Sequence, residues 1–313
     1  MSAESASAGP AAPGDAGRDA GRLMRGATYA ATAVAAVLIV IKLAAWLMTG
    51  SVALLSSLVD SLLDAAASLV NLLAVRHALT PADREHRFGH GKAEPLAALA
   101  QAAFIVGSAV LLGAEAVSRL VRPPEIHAPE VGIAVMLFSI VATLALVAYQ
   151  RWVIRRTGSL AISADSLHYS GDVLINGGVI VALLLHGWLG WSWIDPAFAA
   201  AIALFLAVTA ARIGRSALDM LMDRELDDAD RQRIRDIVRG HAAVRAVHDL
   251  RTRVAGRTAF IQLHLELDGA MTLQRAHEIS DAVEQELLAA FPKAEIMIHQ
   301  DPEGVEEPRA RFA

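Results

Sequence analysis

The chain has 313 residues, 55% of them hydrophobic and only 19% charged, with a formal net charge of −5 and no cysteine. Soluble domains run near 45–50% apolar with about a quarter of their residues charged, so the apolar excess must face something other than water, and a lipid bilayer is the default. The missing thiols exclude disulfides, cysteine-based zinc or iron–sulfur sites and a thiol nucleophile, and the acidic balance argues against a nucleic-acid partner.

Taken in chain order, residues 1–21 are rich in Ala, Gly, Ser and Pro and read as a disordered N-terminal tail. Residues 22–215 then hold six apolar segments, at about 27–48, 52–76, 94–118, 131–152, 160–187 and 194–212, each near the ~20 residues that cross a bilayer. Basic residues collect on one side of the short loops: Arg18, Arg22 and Arg25, then Arg76, Arg84, Arg87 and Lys92, then Arg151, Arg155 and Arg156, then Arg212 and Arg215. The opposite loops carry only Arg119 and Arg122, so both termini are expected to be cytoplasmic.

Beyond the last segment the composition turns polar, and residues 216–302 read as a small soluble domain. DDADRQRIRDIVRG has helical period, with acidic residues in its first turn and Gly240 as its stop. AVHDLRTRVAG and TAFIQLHLELDG alternate as half-buried strands, TLQRAHEISDAVEQELLAAF is an amphipathic helix, and AEIMIHQDP is a last strand. The expected fold is therefore an α-helical membrane protein of six transmembrane helices with a C-terminal α+β, ferredoxin-like (αββαβ) cytoplasmic domain, and residues 303–313 as a loose tail.

An ionisable side chain inside a bilayer costs at least ~2.5 kcal/mol on insertion scales, so each needs a partner or a task. Asp60 and Asp64 on the second segment, and His168 and Asp172 on the fifth, are each spaced i, i+4 and so share a helical face. Two such facing pairs offer three carboxylates and an imidazole, a donor set suited to a divalent metal. Bound metal compensates the carboxylates; without it they repel one another and protons take its place, which is the core of an exchanger. The alternative is a pair of solvated edges lining a wet crevice. Lys42 can snorkel or pair with a carboxylate, Glu115 sits near an interface, and Asp165 is placed either to guide cations or to cap its helix.

Asp83, His86 and His90 lie within eight residues of one another in the loop after the second segment, as a metal cluster or as solvated surface. The soluble domain adds His248, His264, His277, His299 and Asp301 as candidate ligands. His77, His127, His186 and His241 have no such company.

The runs VDSLLDAAASLVNLLAVR, PADREHRFGHGKAEPLAALAQ, ADSLHYSGDVLINGG, HDLRTR, IQLHLELD and IHQDP together resemble the cation diffusion facilitators, specifically their bacterial zinc and ferrous-iron efflux branch. The resemblance runs from about residue 22 to 302. It implies a homodimer in the inner (cytoplasmic) membrane that exports divalent metal against proton entry. Asp60, Asp64, His168 and Asp172 resemble the transport site; Asp83, His86 and His90 resemble the loop site; His248, His264, His277, His299 and Asp301 resemble a binuclear cytoplasmic site, with Asp301 bridging and Gln300 outside it as support. Lys92 and Asp223 match a charge interlock across the dimer, and Leu167 is either an inner gate or core packing. Arg84 and Glu85 depart from the more neutral or acidic form of the loop. The Asp-Asp/His-Asp set resembles members that take Zn²⁺, Cd²⁺ and sometimes Fe²⁺. The resemblance implies a secondary transporter, not an enzyme. The rival reading is a membrane-bound metal sensor without transport; an intramembrane hydrolase is disfavoured by the lack of an H-E-x-x-H motif.

Overall fold

The computed structural model describes residues 15–50, 52–121, 130–189 and 194–304. The expectations for residues 1–14 and 305–313, and for Arg122 and His127, fall outside them. Six long helices come first: α1 (Asp15–Thr49), α2 (Val52–Ala78), α3 (Ala93–Val121), α4 (Glu130–Thr157), α5 (Leu160–Leu189) and α6 (Ile194–Leu221). Helix α1 has 35 residues, about 52 Å at 1.5 Å per residue, so it outruns a ~30 Å hydrocarbon core. Its excess lies at the N-terminal end, where Asp19 pairs with Arg22 one turn on. Residues 15–21, expected in the loose tail, are therefore helical.

By length and apolarity, α1, α2, α3, α4 and α6 each contain a membrane-crossing stretch among the described residues. Helix α5 is as long, but its first half carries Asp165, His168 and Asp172. Large apolar side chains such as Val40, Leu47, Val110, Leu111, Val141 and Leu204 point outward, which costs nothing against lipid and would be costly against water. Small residues line the inner face of α1 instead, with Ala27, Ala31, Ala35 and Ala45 buried and the helix packed closely on α2 and α4. Helices α4 and α5 also pack together, as do α2 and α5. Ala102, Ile105 and Ala109 of α3 meet Leu206 and Ala210 of α6 around Leu167.

The polar remainder folds as α7 (Asp228–Gly240), β1 (Ala246–Ala255), β2 (Thr258–Leu267), α8 (Leu273–Ala290) and β3 (Ala294–Pro302). Asp227 caps α7 by accepting from the Asp230 N–H at 2.8 Å, and Thr272 caps α8 through Arg275 N–H at 3.2 Å. The sheet order is β1-β2-β3, with β1 antiparallel and β3 parallel to β2. Ile261, Leu263, Leu265 and Leu267 alternate onto one face of β2, where they bury against Ile234 and Val238 of α7 and Ile279, Val283 and Leu287 of α8. The other face carries Gln262, His264 and Glu266.

The chain divides into two compact units, one holding residues up to 80 and 96–217, the other holding 81–95 and 218 onward. The loop between α2 and α3 thus groups with the αββαβ domain. Two glycines explain the closeness of that packing. A Cβ on Gly91 would stand 2.5 Å from the Ala255 carbonyl oxygen, and Gly256, at φ +60°, has Gly91 Cα 2.9 Å from where its own Cβ would be. Backbone lies on both sides, so neither can yield by a rotamer change. Gly91→Ala is expected to destabilise this unit by about 1–3 kcal/mol, visible as a lowered first melting transition of the full-length protein; an unchanged melt would show that the loop does not sit there. Arg253 adds a clamp, its guanidinium 4.1 Å from the Phe260 ring centre and 5.3 Å from that of Phe88.

Candidate metal-binding centres

Within the membrane helices, ligand atoms of Asp64, His168 and Asp172 come within 4.8 Å of one another. His168 Nε2 lies 3.0 Å from Asp64 Oδ1, with the two side chains only 9% and 21% exposed. Antiparallel packing of α2 against α5 brings Asp64 opposite His168. Asp60 lies one turn before Asp64 on α2 and is exposed, outside the three-residue group. One edge of the His168 ring meets Phe104, with ring centres 5.7 Å apart, so apolar surface abuts the donors and lowers the local dielectric.

Lys42 of α1 does not snorkel. Its Nζ donates to Ser57 O at 3.2 Å and Ser61 Oγ at 2.6 Å, both on α2, the helix that carries Asp60 and Asp64. A fixed ammonium beside the carboxylates opposes a bound dication. Lys42→Met is therefore expected to lower the metal concentration for half-maximal binding severalfold and to slow release; weaker binding would contradict that charge balance. Asp165 neither caps α5 nor faces a wet mouth: it is 1% exposed and accepts from Gln101 Nε2 at 3.1 Å and Gln150 Nε2 at 2.7 Å. Leu167 is packed among α3 and α6 side chains.

The loop cluster is preformed. Asp83 Oδ1 accepts the backbone N–H groups of His86 at 2.7 Å and Glu85 at 2.9 Å, an Asx turn. The His86 amide bond, first, and that of Glu85 hold the Asp83 carboxyl below its ordinary range, which keeps it ionised as a ligand should be. His86 Nδ1 stands 3.4 Å from Oδ1 and His90 Nε2 3.4 Å from Oδ2.

The third cluster arises from register. His248 of β1 pairs with His264 of β2, and His264 with His299 of β3, so three imidazoles form one row on the sheet face away from α7 and α8. Asp301, two residues after His299 and on the same face, is 5% exposed. Its Oδ2 lies 2.8 Å from His264 Nδ1 and 3.3 Å from His248 Nε2, while Oδ1 lies 3.1 Å from His299 Nε2. One carboxylate thus presents one oxygen to His248 and His264 and the other to His299.

Three expected residues have other neighbours within a single chain. His277 is on α8, across the sheet from the row, 69% exposed and 3.5 Å from Asp281; a single chain does not bring it to the cluster. Gln300 is one residue out of phase with His299 and Asp301, so it faces α8 and donates to Ser280 Oγ at 2.8 Å. Lys92 and Asp223 meet within one chain, at 2.9 Å. Asp223 at φ 57° ends α6, and Arg253 approaches it at 3.5 Å.

Two acidic neighbours were missed. Asp249 Oδ2 lies 3.8 Å from His264 Nε2, and Glu266 Oε1 lies 3.2 Å from His248 Nε2. Strict alternation puts Asp249 on the face opposite His248, but a register shift between His248 and Arg251, with Asp249 at φ 45°, turns it round. Glu266 was legible: it is two residues from His264 on the same face.

Two family models match the chain in succession. Residues 28–222 match the model for the cation efflux transmembrane domain and residues 226–303 that for the cation efflux protein cytoplasmic domain. The cation-efflux pump FieF of Klebsiella pneumoniae is 52% identical over 285 residues, covering 91% of this chain and 95% of that one. The pump of the same name from Serratia proteamaculans is 52% identical over 281 residues, covering 90% and 93%. A solved metal-bound C-terminal domain of the CzcD transporter from Thermotoga maritima is 27% identical, covering 26% of this chain and all of that one, with a TM-score of 0.25. Six long apolar helices followed by a metal-liganding αββαβ domain define a multi-pass membrane protein, and the chain belongs to the cation efflux family.

Proposed function

We propose that this protein is a divalent-metal efflux transporter that exchanges Zn²⁺, and also Cd²⁺ and Fe²⁺, for protons by alternating access, and so is a secondary transporter, not an enzyme. Its relatives are named cation-efflux pumps. The observation that carries the reading is the Asp64, His168 and Asp172 cluster on facing membrane helices. An imidazole with two carboxylates is a borderline donor set that suits Zn²⁺ and tolerates its neighbours. Every one of these groups takes up a proton when metal leaves, so metal and protons compete for the same lone pairs. Asp60, one turn along α2, completes the set as a fourth ligand when its carboxylate swings in.

The assembly is a homodimer in the inner-membrane bilayer with both termini cytoplasmic. His277 faces away from its own chain's histidine row, so its place as a ligand is in a partner's cluster, and metal there tightens the dimer. The loop cluster of Asp83, His86 and His90 collects metal on the cytoplasmic side.

Uptake of Zn²⁺, Cd²⁺, Fe²⁺ and Mn²⁺ into liposomes carrying the purified protein tests the reading. Zn²⁺ and Cd²⁺ are expected to move fastest and Mn²⁺ slowest, because an imidazole ligand penalises the hardest ion. A protein that binds all four and moves none is a sensor.

A further inference from the structure

The ends of three membrane helices carry a charge that the metal centres do not use. Gly26 of α1 meets Tyr149 of α4 so closely that a Cβ on Gly26 would stand 2.9 Å from the phenol oxygen. Met24 packs with Val153, and Ala31 with Leu146, so the two helices run antiparallel, with the start of α1 beside the end of α4. Leu79, just past the end of α2, lies 3.6 Å from where a Cβ on Gly21 would be, and Val75 of α2 shares the Met24 cluster. All three ends belong to one compact unit.

Exposed arginines gather where they meet: Arg22 and Arg25 on α1, Arg76 on α2, and Arg151, Arg155 and Arg156 on α4. The Gly26–Tyr149 contact puts Arg25 and Arg151 at one level, with Arg22 and Arg155 about one turn farther out. Among the described exposed side chains of these ends only Asp19 is acidic, and it pairs with Arg22 at 3.6 Å. Like charges crowded in this way repel one another, and an anion relieves them. Arg156 is also held in place: its Cζ lies 4.2 Å from the Trp152 ring centre, and Trp152 stacks on Tyr149 with centres 6.0 Å apart. A cation over a ring face is attracted by the ring's electrons, so its N–H fork stays available for two oxygens of a phosphate. Toward the membrane interior the same faces turn apolar. On α1 the exposed positions run from Arg22 and Arg25 to Tyr29, Val37 and Val40, and on α4 from Arg155 and Arg151 to Leu144 and Val141. Steps of one or two helical turns keep each series on one face.

We propose that the converging ends of α1, α2 and α4 bind an anionic phospholipid, with its phosphate among Arg25, Arg155 and Arg156 and its acyl chains along the apolar stripes of α1 and α4. Basic side chains between membrane helices recognise such headgroups by charge. Trp152 and Tyr149 set the depth, because amphipathic rings settle at headgroup level. The stripes favour a lipid over a soluble phosphate, which has no chain to lay along them. The site uses none of the metal ligands, so it is independent of the transport reading.

The test is native mass spectrometry of the full-length protein in non-ionic detergent, titrated with phosphatidylglycerol or phosphatidylcholine at fixed ionic strength. Wild type is expected to hold phosphatidylglycerol more tightly by about tenfold or more. Each arginine near a charged headgroup contributes about fivefold in affinity, so Arg155→Gln with Arg156→Gln should weaken phosphatidylglycerol about 25-fold and leave phosphatidylcholine unchanged. Arg212→Gln with Arg215→Gln, both exposed on α6, makes the same change in net charge outside the site and should leave both affinities unchanged. If the Arg155 and Arg156 double variant does not fold, Arg25→Gln decides, with an expected loss of about fivefold. Equal affinity of wild type for the two lipids, or equal losses from the α4 and α6 pairs of substitutions, overturns the inference.

Discussion

Asp64→Ala is expected to bring metal flux to the level of protein-free liposomes while leaving the protein folded and the cytoplasmic clusters loaded. Asp64 Oδ1 and His168 Nε2 stand 3.0 Å apart in surroundings that leave His168 only 9% exposed. Removing Asp64 takes away one of the three donors together with its negative charge, a larger loss than the roughly 10- to 100-fold in affinity that follows loss of a mere neighbour of a metal site. Asp64→Asn keeps the shape and loses the charge, and should fail almost as completely, because neutral amide oxygens do not compensate a dication. Zinc analysis of the purified variants separates the sites: each should retain cytoplasmic metal. Flux within tenfold of wild type from Asp64→Ala would move the transport site elsewhere.

Asp301→Ala should have the other large effect, on metal-linked stability more than on flux. Three histidines from three strands converge on this one carboxylate, so its removal takes a donor from both sides of the cluster at once. Ligand that binds only the folded state stabilises it by about 2.7 kcal/mol at a hundredfold excess over its Kd. Wild type should gain a shift of that order with Zn²⁺ in the melting of its cytoplasmic unit. The variant should gain almost none. A full Zn²⁺-dependent shift in Asp301→Ala would show that Asp301 is not the centre of the cluster.

The parts of this architecture that follow short-range periodicity were legible in the sequence. Spacing of i, i+4 placed His168 and Asp172 on one face, and period-2 alternation in TAFIQLHLELDG assigned the faces of β2 correctly. What local pattern did not reveal depended on phase or on pairing between distant segments. Within one chain, strand pleat turns Gln300 away from His299 and Asp301 and toward α8. Asp249 was hidden by a bulge that alternation does not foresee. Gln101 and Gln150, which donate to Asp165, gave no signal because they carry no charge, although an uncharged polar residue amid an apolar span is itself informative. The grouping of the α2–α3 loop with the cytoplasmic unit depends on Gly91 meeting Ala255 across more than a hundred and sixty residues. Nothing in local pattern encodes that contact.

The central claim is that metal and protons compete for one membrane-buried donor set. The most direct measurement records luminal Zn²⁺ and luminal pH together in liposomes with equal Zn²⁺ on both sides and an imposed pH gradient, acidic inside. The account predicts that Zn²⁺ accumulates inside against its own gradient while the lumen loses protons, and that Asp64→Ala shows neither. Zn²⁺ that stays at equilibrium while the pH gradient persists, or accumulation that survives Asp64→Ala, would contradict it.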